Sequence, residues 1–403
     1  CLPDTEDKEN PPFARLLELQ NLGYVATDET GRPGDCDFCH IVTYFFANAC
    51  LRVCSYISIG TFQNFPSIFR RSTLMSDKIR IGLLGTGRIG QVHAISIDEN
   101  PNAELTYTAD VFVEGAKKFA GQYGGKFTND PAEVFASGEV DAVVVASPTP
   151  THVDLINAAI DAGVHVLCEK PIDLDITRVD ALRQKANSAK TIVALGFNRR
   201  FDQQFNEIHT RVQNGEIGNL EQLTIISRDP GPAGKDYLAV SGGIFRDMTI
   251  HDFDMARFFV PEIVEVYAAG ENTFSDDIKD LGDYDSAVVT LRGSKGELVS
   301  ITNSRRAAYG YDQRLEAFGS KGALLATNVS PTTVKLYNES SVEGRNPYIP
   351  AFLERYAYSY RRELALFIEG IQTGKNLNPT FEDGRAALVI ADAATESADR
   401  KSV

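Results

Sequence analysis

The sequence predicts an α/β chain in which a doubly wound, parallel-sheet domain precedes an α+β domain built on a large, mostly antiparallel open sheet. Three observations predict it. From Lys78 onward, short β-branched runs alternate with helical stretches, the rhythm of a parallel sheet covered on both faces. After NRRF, residues 198–201, period-two alternation takes over, broken by Gly-Ser-Lys-Gly turns, as expected of an antiparallel sheet with one covered face. The 403 residues are 43% apolar and 24% charged, ordinary globular usage with room for two sizeable cores.

The first 74 residues differ in composition. Cys1, Cys36, Cys39, Cys50 and Cys54 lie there, and only Cys168 lies beyond. The segment CDFCH, residues 36–40, spells the C-x-x-C-H of covalent haem attachment, and Cys36, Cys39, Cys50 and Cys54 can be drawn as a zinc tetrad. Against haem, His40 is the only His or Met before Met75 that could be an axial ligand. Against zinc, the cysteine pairs lack glycines for tight knuckles. No metal is therefore expected. Residues 1–74 read as an extension, either genuine or upstream sequence translated by mistake, and are expected to be poorly ordered. Residues 75–197 read as the first domain and 198–403 as the second.

Each element of the first domain follows from its residues. KIRIGLLG is a buried strand and GTGRIG a turn. QVHAISIDENP is a helix ending at Pro101, LTYTADVF a second strand, GAKKFAGQYG a second helix, and DAVVVASP a further strand. Gly85, Gly87 and Gly90 have G-x-G-x-x-G spacing at a strand-to-helix junction. The first allows the tight turn, the second lets backbone approach a pyrophosphate, and the third allows close helix-strand packing. This marks a Rossmann dinucleotide-binding domain, with Arg88 and Ile89 at the helix start that faces the phosphates. Asp110, twenty residues past Gly90, is placed to accept hydrogen bonds from the adenosine ribose hydroxyls and to repel a 2′-phosphate. No Arg follows it in ADVFVEG, so NAD is expected rather than NADP.

In the second domain LEQLTIISRD, SAVVTLRG, GELVSITNS, RLEAFGS and ALLATNV read as strands. YRRELALFIEGI and GRAALVIADAATESAD have helical spacing and are expected to pack on the flank of the fold. The stretch GGIFRDMTIHDFDMARF, residues 242–258, places Asp247 and His251 four apart, so that on an α-helix both side chains address one point. The competing reading is that Asp247 caps the helix and His251 is an ordinary histidine.

Charge excludes some partners. With 55 acidic against 40 basic side chains the net charge is −15, which repels phosphate backbones and anionic membranes. No uninterrupted apolar run reaches the roughly 18 residues of a membrane span. CLPDTEDKEN lacks the features of a secretory signal, so neither nucleic acid nor membrane is expected as a partner and a cytoplasmic location is the default.

DAVVVASPTPTHVDLINAAIDAGVHVLCEKPI ends in Glu169-Lys170-Pro171. Taken with GxGxxG, it resembles the family of glucose-fructose oxidoreductases and inositol dehydrogenases over residues 78 to about 400. SRDPGPAGKDYLAVSGGIFRDMTIHDFDMARF and NSRRAAYGYDQRLEAFGSKG look nearest to the myo-inositol 2-dehydrogenases within it. The resemblance implies NAD-dependent oxidation of a secondary hydroxyl of a cyclic polyol, myo-inositol first, with scyllo-inositol or glucose as alternatives. A nucleotide-binding regulator without chemistry is an alternative of another class. The resemblance also implies that Lys170, Asp247 and His251 form the catalytic group. In that group His251 is the base, Asp247 holds its ring and tautomer, and Lys170 donates to the reacting oxygen. The pull of Asp247 and the helix start act oppositely on the imidazole, so no net shift of its pKa is expected. Ser147, Thr149 and His152 are implied along the nicotinamide, His152 alternatively making a helix-start hydrogen bond, with Glu169 at a ribose hydroxyl. Arg199, Asp229 and Tyr311 are implied at the substrate, Arg199 alternatively as a domain-linking ion pair. The family commonly forms tetramers through the open sheet, so a homo-oligomer is implied.

Overall fold

The structure, a computed structural model, describes residues 78–400. The extension and its cysteine candidates lie outside the described residues.

The first sheet contains six parallel strands: β1 (Ile79–Leu84), β2 (Ala103–Ala109), β3 (Lys126–Thr128), β4 (Ala142–Val145), β5 (His165–Glu169) and β6 (Val193–Gly196), in the order β3-β2-β1-β4-β5-β6. This is the doubly wound order, whose ligand crevice opens at the carboxyl ends of the strands where the order reverses, between β1 and β4. All four residues of β4, AVVV, are buried, because helices cover both faces of a parallel sheet. Burying each such valine contributes about 1.5–3 kcal/mol relative to exposure. One face packs Val143, Val145 and Val166 against Ile156, Ala159, Val179 and Leu182 of the helices His152–Ala162 and Ile176–Ser188. The other packs Ile81, Leu83 and Val144 against Ala94 and Ile97 of the helix Arg88–Asp98. Leu364, Phe367 and Ile368 join that second core from the late helix Ala357–Thr373. The chain thus returns from the second domain to finish the first, instead of packing that helix only on its own domain.

The second sheet contains β7 (Leu220–Arg228), β8 (Ile263–Glu271), β9 (Ser286–Gly293), β10 (Leu298–Ser304), β11 (Asp312–Gly319) and β12 (Gly322–Ala326), ordered β12-β11-β7-β10-β9-β8. Its pairings are antiparallel except that of β7 with β10, which is parallel. The sheet is therefore mixed, the parallel pair arising where the chain crosses over between β7 and β8. Alternation holds: Leu223 and Ile225 of β7 pair with Val299 and Ile301 of β10, and all four point into the core. The opposite face leaves Tyr267, Val288, Leu298, Phe318 and Leu325 exposed. The helices Ile250–Phe259 and Phe381–Arg400 add Phe253, Met255, Leu388 and Ala391 to the same core. Among the described residues no helix is long and apolar enough to cross a membrane.

Candidate active site

Most candidate residues sit at the carboxyl ends of first-domain strands: Gly85 after β1, Asp110 after β2, Ser147 after β4, Lys170 after β5 and Arg199 after β6. The topology collects side chains that the sequence scatters over more than a hundred positions.

The glycine turn is shaped for a phosphate. Gly85 has φ +108°, and a Cβ there would lie 2.5 Å from the Ala146 carbonyl oxygen. A Cβ on Gly90 would lie 2.2 Å from the Gly85 carbonyl oxygen. Gly87 is exposed and a Cβ on it would meet no atom within 4 Å, so its backbone faces open space. The helix Arg88–Asp98 begins there with no side-chain cap and no acid in its first turn, which leaves its N–H groups and positive dipole end for an anion. Asp110 Oδ2 accepts from the Thr86 amide and hydroxyl, both at 2.7 Å, and its Oδ1 accepts from Phe112 N–H at 2.8 Å. The carboxylate is thereby locked beside the turn, where ribose hydroxyls would lie. These residues fit a dinucleotide. Arg88 is exposed and rests over the Phe352 ring, 5.0 Å from its centroid, and Ile89 is half-buried.

The SPTPTH loop is braced from within. Ser147 Oγ and Thr151 Oγ1 are 2.6 Å apart, and Thr149 opens the short 3-10 turn Thr149–Thr151. His152 is buried, with Nδ1 2.8 Å from the Pro171 carbonyl oxygen and Nε2 2.9 Å from that of Ser147. Both ring nitrogens face backbone carbonyls of neighbouring loops and neither caps a helix N–H, so the ring ties the SPTPTH loop to the segment after β5. Burial, partly offset by those two carbonyls, lowers its pKa. Glu169 is also turned inward: its Oε1 lies 2.8 Å from His93 Nε2. Lys170 precedes a cis peptide to Pro171.

Lys170 Nζ donates to the Asp247 carbonyl oxygen at 2.7 Å and lies 3.5 Å from Asp247 Oδ1. Asp247 does not cap a helix. It sits inside a π-turn, Phe245–Thr249, that leads into the helix Ile250–Phe259, and the Ile244 amide at its start is bound instead by Asp283 Oδ1 at 2.7 Å. Nor does Asp247 hold the imidazole of His251. Its Oδ1 accepts from the Tyr237 hydroxyl at 2.7 Å and its Oδ2 lies 3.4 Å from Arg305 Nη1. The extra residue of a π-turn rotates side chains away from the α-helical alignment that the four-residue spacing implies. His251 lies edge-on to Phe197, with centroids 6.3 Å apart, and its Nδ1 is enclosed without a hydrogen-bond partner. The expectation of an unshifted imidazole is also corrected. Burial first, then the positive charges of Lys170 and Arg199, holds its pKa well below 6.5. Lys170 is the neighbour that Asp247 and His251 share.

Arg199 is buried. Its Nη1 lies 2.5 Å from Asp252 Oδ1, and its Nη2 lies 3.3 Å from Ser227 Oγ and 3.5 Å from the Tyr311 hydroxyl. The ion pair joins the turn after β6 to the helix Ile250–Phe259, both beyond residue 197. Tyr311 is buried against Tyr356, and burial pushes its phenol well up. Burial pushes the Asp229 carboxyl up to about 6; Arg305 and Arg199 oppose this, while Asp247 and Asp252 reinforce it.

Sequence reasoning missed the polar floor of the site. Asp252 Oδ2 accepts from Asn303 Nδ2 at 2.8 Å, and Asn303 Oδ1 accepts from the Thr249 hydroxyl at 2.7 Å. Arg305, only 2% exposed, joins Asp247 to Asp283, 3.1 Å from its Nη2. A signal existed: the adjacent Arg199 and Arg200 find Asp252 and Asp254 in HDFD, and a buried charge needs a partner.

A buried neutral imidazole, a lysine with a free donor and an open crevice for a dinucleotide can together remove the proton of a hydroxyl whose carbon gives up hydride. Comparison with known proteins bears on this chemistry. Residues 79–197 match the model of an oxidoreductase family with an NAD-binding Rossmann fold, and residues 205–325 match the GFO/IDH/MocA C-terminal domain. An inositol 2-dehydrogenase of Rhizobium meliloti is 45% identical over 324 residues, 80% of this chain and 98% of that protein. The crystal structure of a myo-inositol dehydrogenase from Corynebacterium glutamicum is 57% identical with a TM-score of 0.78, covering 80% of this chain and 97% of the other. A scyllo-inositol dehydrogenase from Lactobacillus casei, solved with bound NAD(H) and scyllo-inositol, is 29% identical with a TM-score of 0.74, over 80% of this chain and 98% of that one.

Proposed function

The chain belongs to the GFO/IDH/MocA oxidoreductase family, and we propose that it is an NAD-dependent dehydrogenase that oxidises myo-inositol at the 2-hydroxyl to the inosose. The observation that carries this reading is Lys170, bound to Asp247 and acting by its charge on the buried His251, in a chain whose glycine turn is shaped for a dinucleotide. Bound NAD supplies the hydride acceptor. The chain's own residues handle the proton: His251, kept neutral by its surroundings, receives it from the hydroxyl. Lys170 has three N–H donors. One is spent on the Asp247 carbonyl oxygen, which leaves another to donate to the reacting oxygen and stabilise developing alkoxide. Asp247 holds that lysine in place. Asp110 would meet the adenosine ribose, while Gly85, Gly87, Arg88, Ile89 and Gly90 shape the phosphate site. Ser147 and Thr149 would lie along the nicotinamide. Asp229, with Tyr311 and Arg199 behind it, offers charged and neutral groups to polyol hydroxyls, and such a site rejects analogues lacking them.

The exposed apolar residues of the second sheet support assembly through that face, and we assign a homotetramer; light scattering on the purified protein tests it. A cytoplasmic location fits a reaction that draws on NAD. The functional test is NADH formation over a panel of myo-inositol, scyllo-inositol and glucose. Myo-inositol should give the highest kcat/KM. Preference for scyllo-inositol would move the assignment within the family, and NAD binding without turnover on any polyol would favour a regulator.

A further inference from the structure

The run Asp229–Ser241 leads on from the end of β7 as a strap, and residues 230–237 are exposed throughout. Leu238 is buried and pins its far end, while Lys235 Nζ reaches Asp277 Oδ1 at 2.8 Å. From this strap Tyr237, 47% exposed, turns inward and donates its hydroxyl to Asp247 Oδ1 at 2.7 Å. A half-exposed tyrosine could leave its hydroxyl in water at no cost; this one reaches the carboxylate oxygen beside which Lys170 Nζ lies. Arg88, at the start of the helix that follows the glycine turn, is close enough to act on the phenol electrostatically, as is Arg305. Tyr237 and Lys170 therefore meet at the same carboxylate oxygen.

A phenol has one donor and two acceptor lone pairs. With its donor committed to Asp247, it meets an incoming ligand as an acceptor on a rigid ring. Building on the polyol-oxidation reading, we propose that Tyr237 is a further substrate-binding residue, whose phenolic oxygen accepts a hydrogen bond from a ring hydroxyl of the polyol other than the one oxidised. Burial and the Asp247 charge raise its pKa, so the phenol remains protonated across the working range and keeps this polarity. A polyol hydroxyl that loses this acceptor costs binding in the ground state and the transition state alike. A change that acted only through Asp247 would instead lower kcat.

Tyr237→Phe keeps the ring on the strap and removes only the hydroxyl. Steady-state kinetics of wild type and variant are compared with myo-inositol and with a set of deoxyinositols, each lacking one hydroxyl. The variant should raise the KM for myo-inositol about three- to tenfold, the worth of one neutral hydrogen bond, with kcat falling by a smaller factor and the KM for NAD near wild type. For one deoxyinositol, the one lacking the partner hydroxyl, the penalty should vanish. Wild-type turnover of myo-inositol bears on the functional reading; the variant-to-wild-type ratio bears on Tyr237. An unchanged KM for myo-inositol, an equal penalty across every deoxyinositol, or a loss confined to kcat would overturn the assignment.

Discussion

Asp247 and His251, four residues apart, share no hydrogen bond: the carboxylate is taken up by Tyr237, Lys170 and Arg305, and the imidazole Nδ1 is enclosed without a partner. Lys170, together with Arg199, therefore supplies the positive charge around the histidine, and Asp247 holds the lysine through its main-chain carbonyl and its carboxylate. Following the imidazole by NMR separates these roles. Lys170→Met should raise the His251 pKa toward 6.5, because it removes a positive charge that opposes protonation. Asp247→Asn should leave that pKa near its wild-type position while lowering kcat. A large shift in the asparagine variant would return Asp247 to the role of direct partner.

His251→Ala should lower kcat by about 10²- to 10⁴-fold, the usual worth of a positioned general base, while NAD affinity stays near wild type. Because the folded pKa is depressed, the base is neutral down through pH 6.5, so kcat should show no acid limb at that ordinary histidine value. Titration with NAD and single-turnover rates over pH check both points, and full turnover in folded His251→Ala protein would make the histidine structural.

Asp229 gives a pH dependence of opposite origin. Its carboxyl, raised to about 6, is ionised at pH 7 and neutral below about 6. As pH falls through that value the site loses a charged acceptor, and the KM for the polyol should rise. Asp229→Asn should raise KM at pH 7 and flatten the break. A KM profile with the same break in the variant would move the titration elsewhere.

The parts of the site that were legible in the sequence are those fixed by backbone geometry. Gly85, Gly87 and Gly90 reveal themselves because a Cβ at the first or third would strike a carbonyl. The alternation in β9 and β10 betrays a one-sided sheet. What stayed hidden depends on tertiary partners. The spacing of Asp247 and His251 gave no sign of a π-turn, because the turn is held by Asp283 from a distant segment. The orientation of Glu169 toward His93 likewise depends on two elements meeting across 76 positions. The parallel pairing of β7 with β10 is a matter of crossover, to which period-two alternation is blind.

The Arg199–Asp252 pair predicts a stability effect. Asp252 is fully buried and accepts from both Arg199 and Asn303. Removing it leaves a buried guanidinium uncompensated, at a cost of about 3–5 kcal/mol. Asp252→Ala should lower the Tm by several degrees, read by calorimetry, whereas Asp154→Ala at the surface should leave it nearly unchanged, since exposed pairs contribute little. Equal Tm values for the two variants would show that the buried pair does not stabilise the fold.

On the proposed reading, the charge of Asp110, which accepts from Thr86, would set cofactor choice. Exchanging Asp110→Ser together with Phe112→Arg replaces repulsion of a 2′-phosphate with a partner for it, and should move preference toward NADP. Kinetics with both cofactors is the check; a wild-type enzyme that prefers NADP would contradict the assignment.

The most direct measurement uses myo-inositol carrying deuterium on the carbon that bears the 2-hydroxyl. Incubated with the wild-type protein and NAD, it should yield reduced cofactor one deuterium heavier by mass spectrometry, and the ketone product should carry none at that carbon. Reduced cofactor without the label would place the oxidation at another hydroxyl. No reduced cofactor from myo-inositol or any other cyclic polyol would contradict the account.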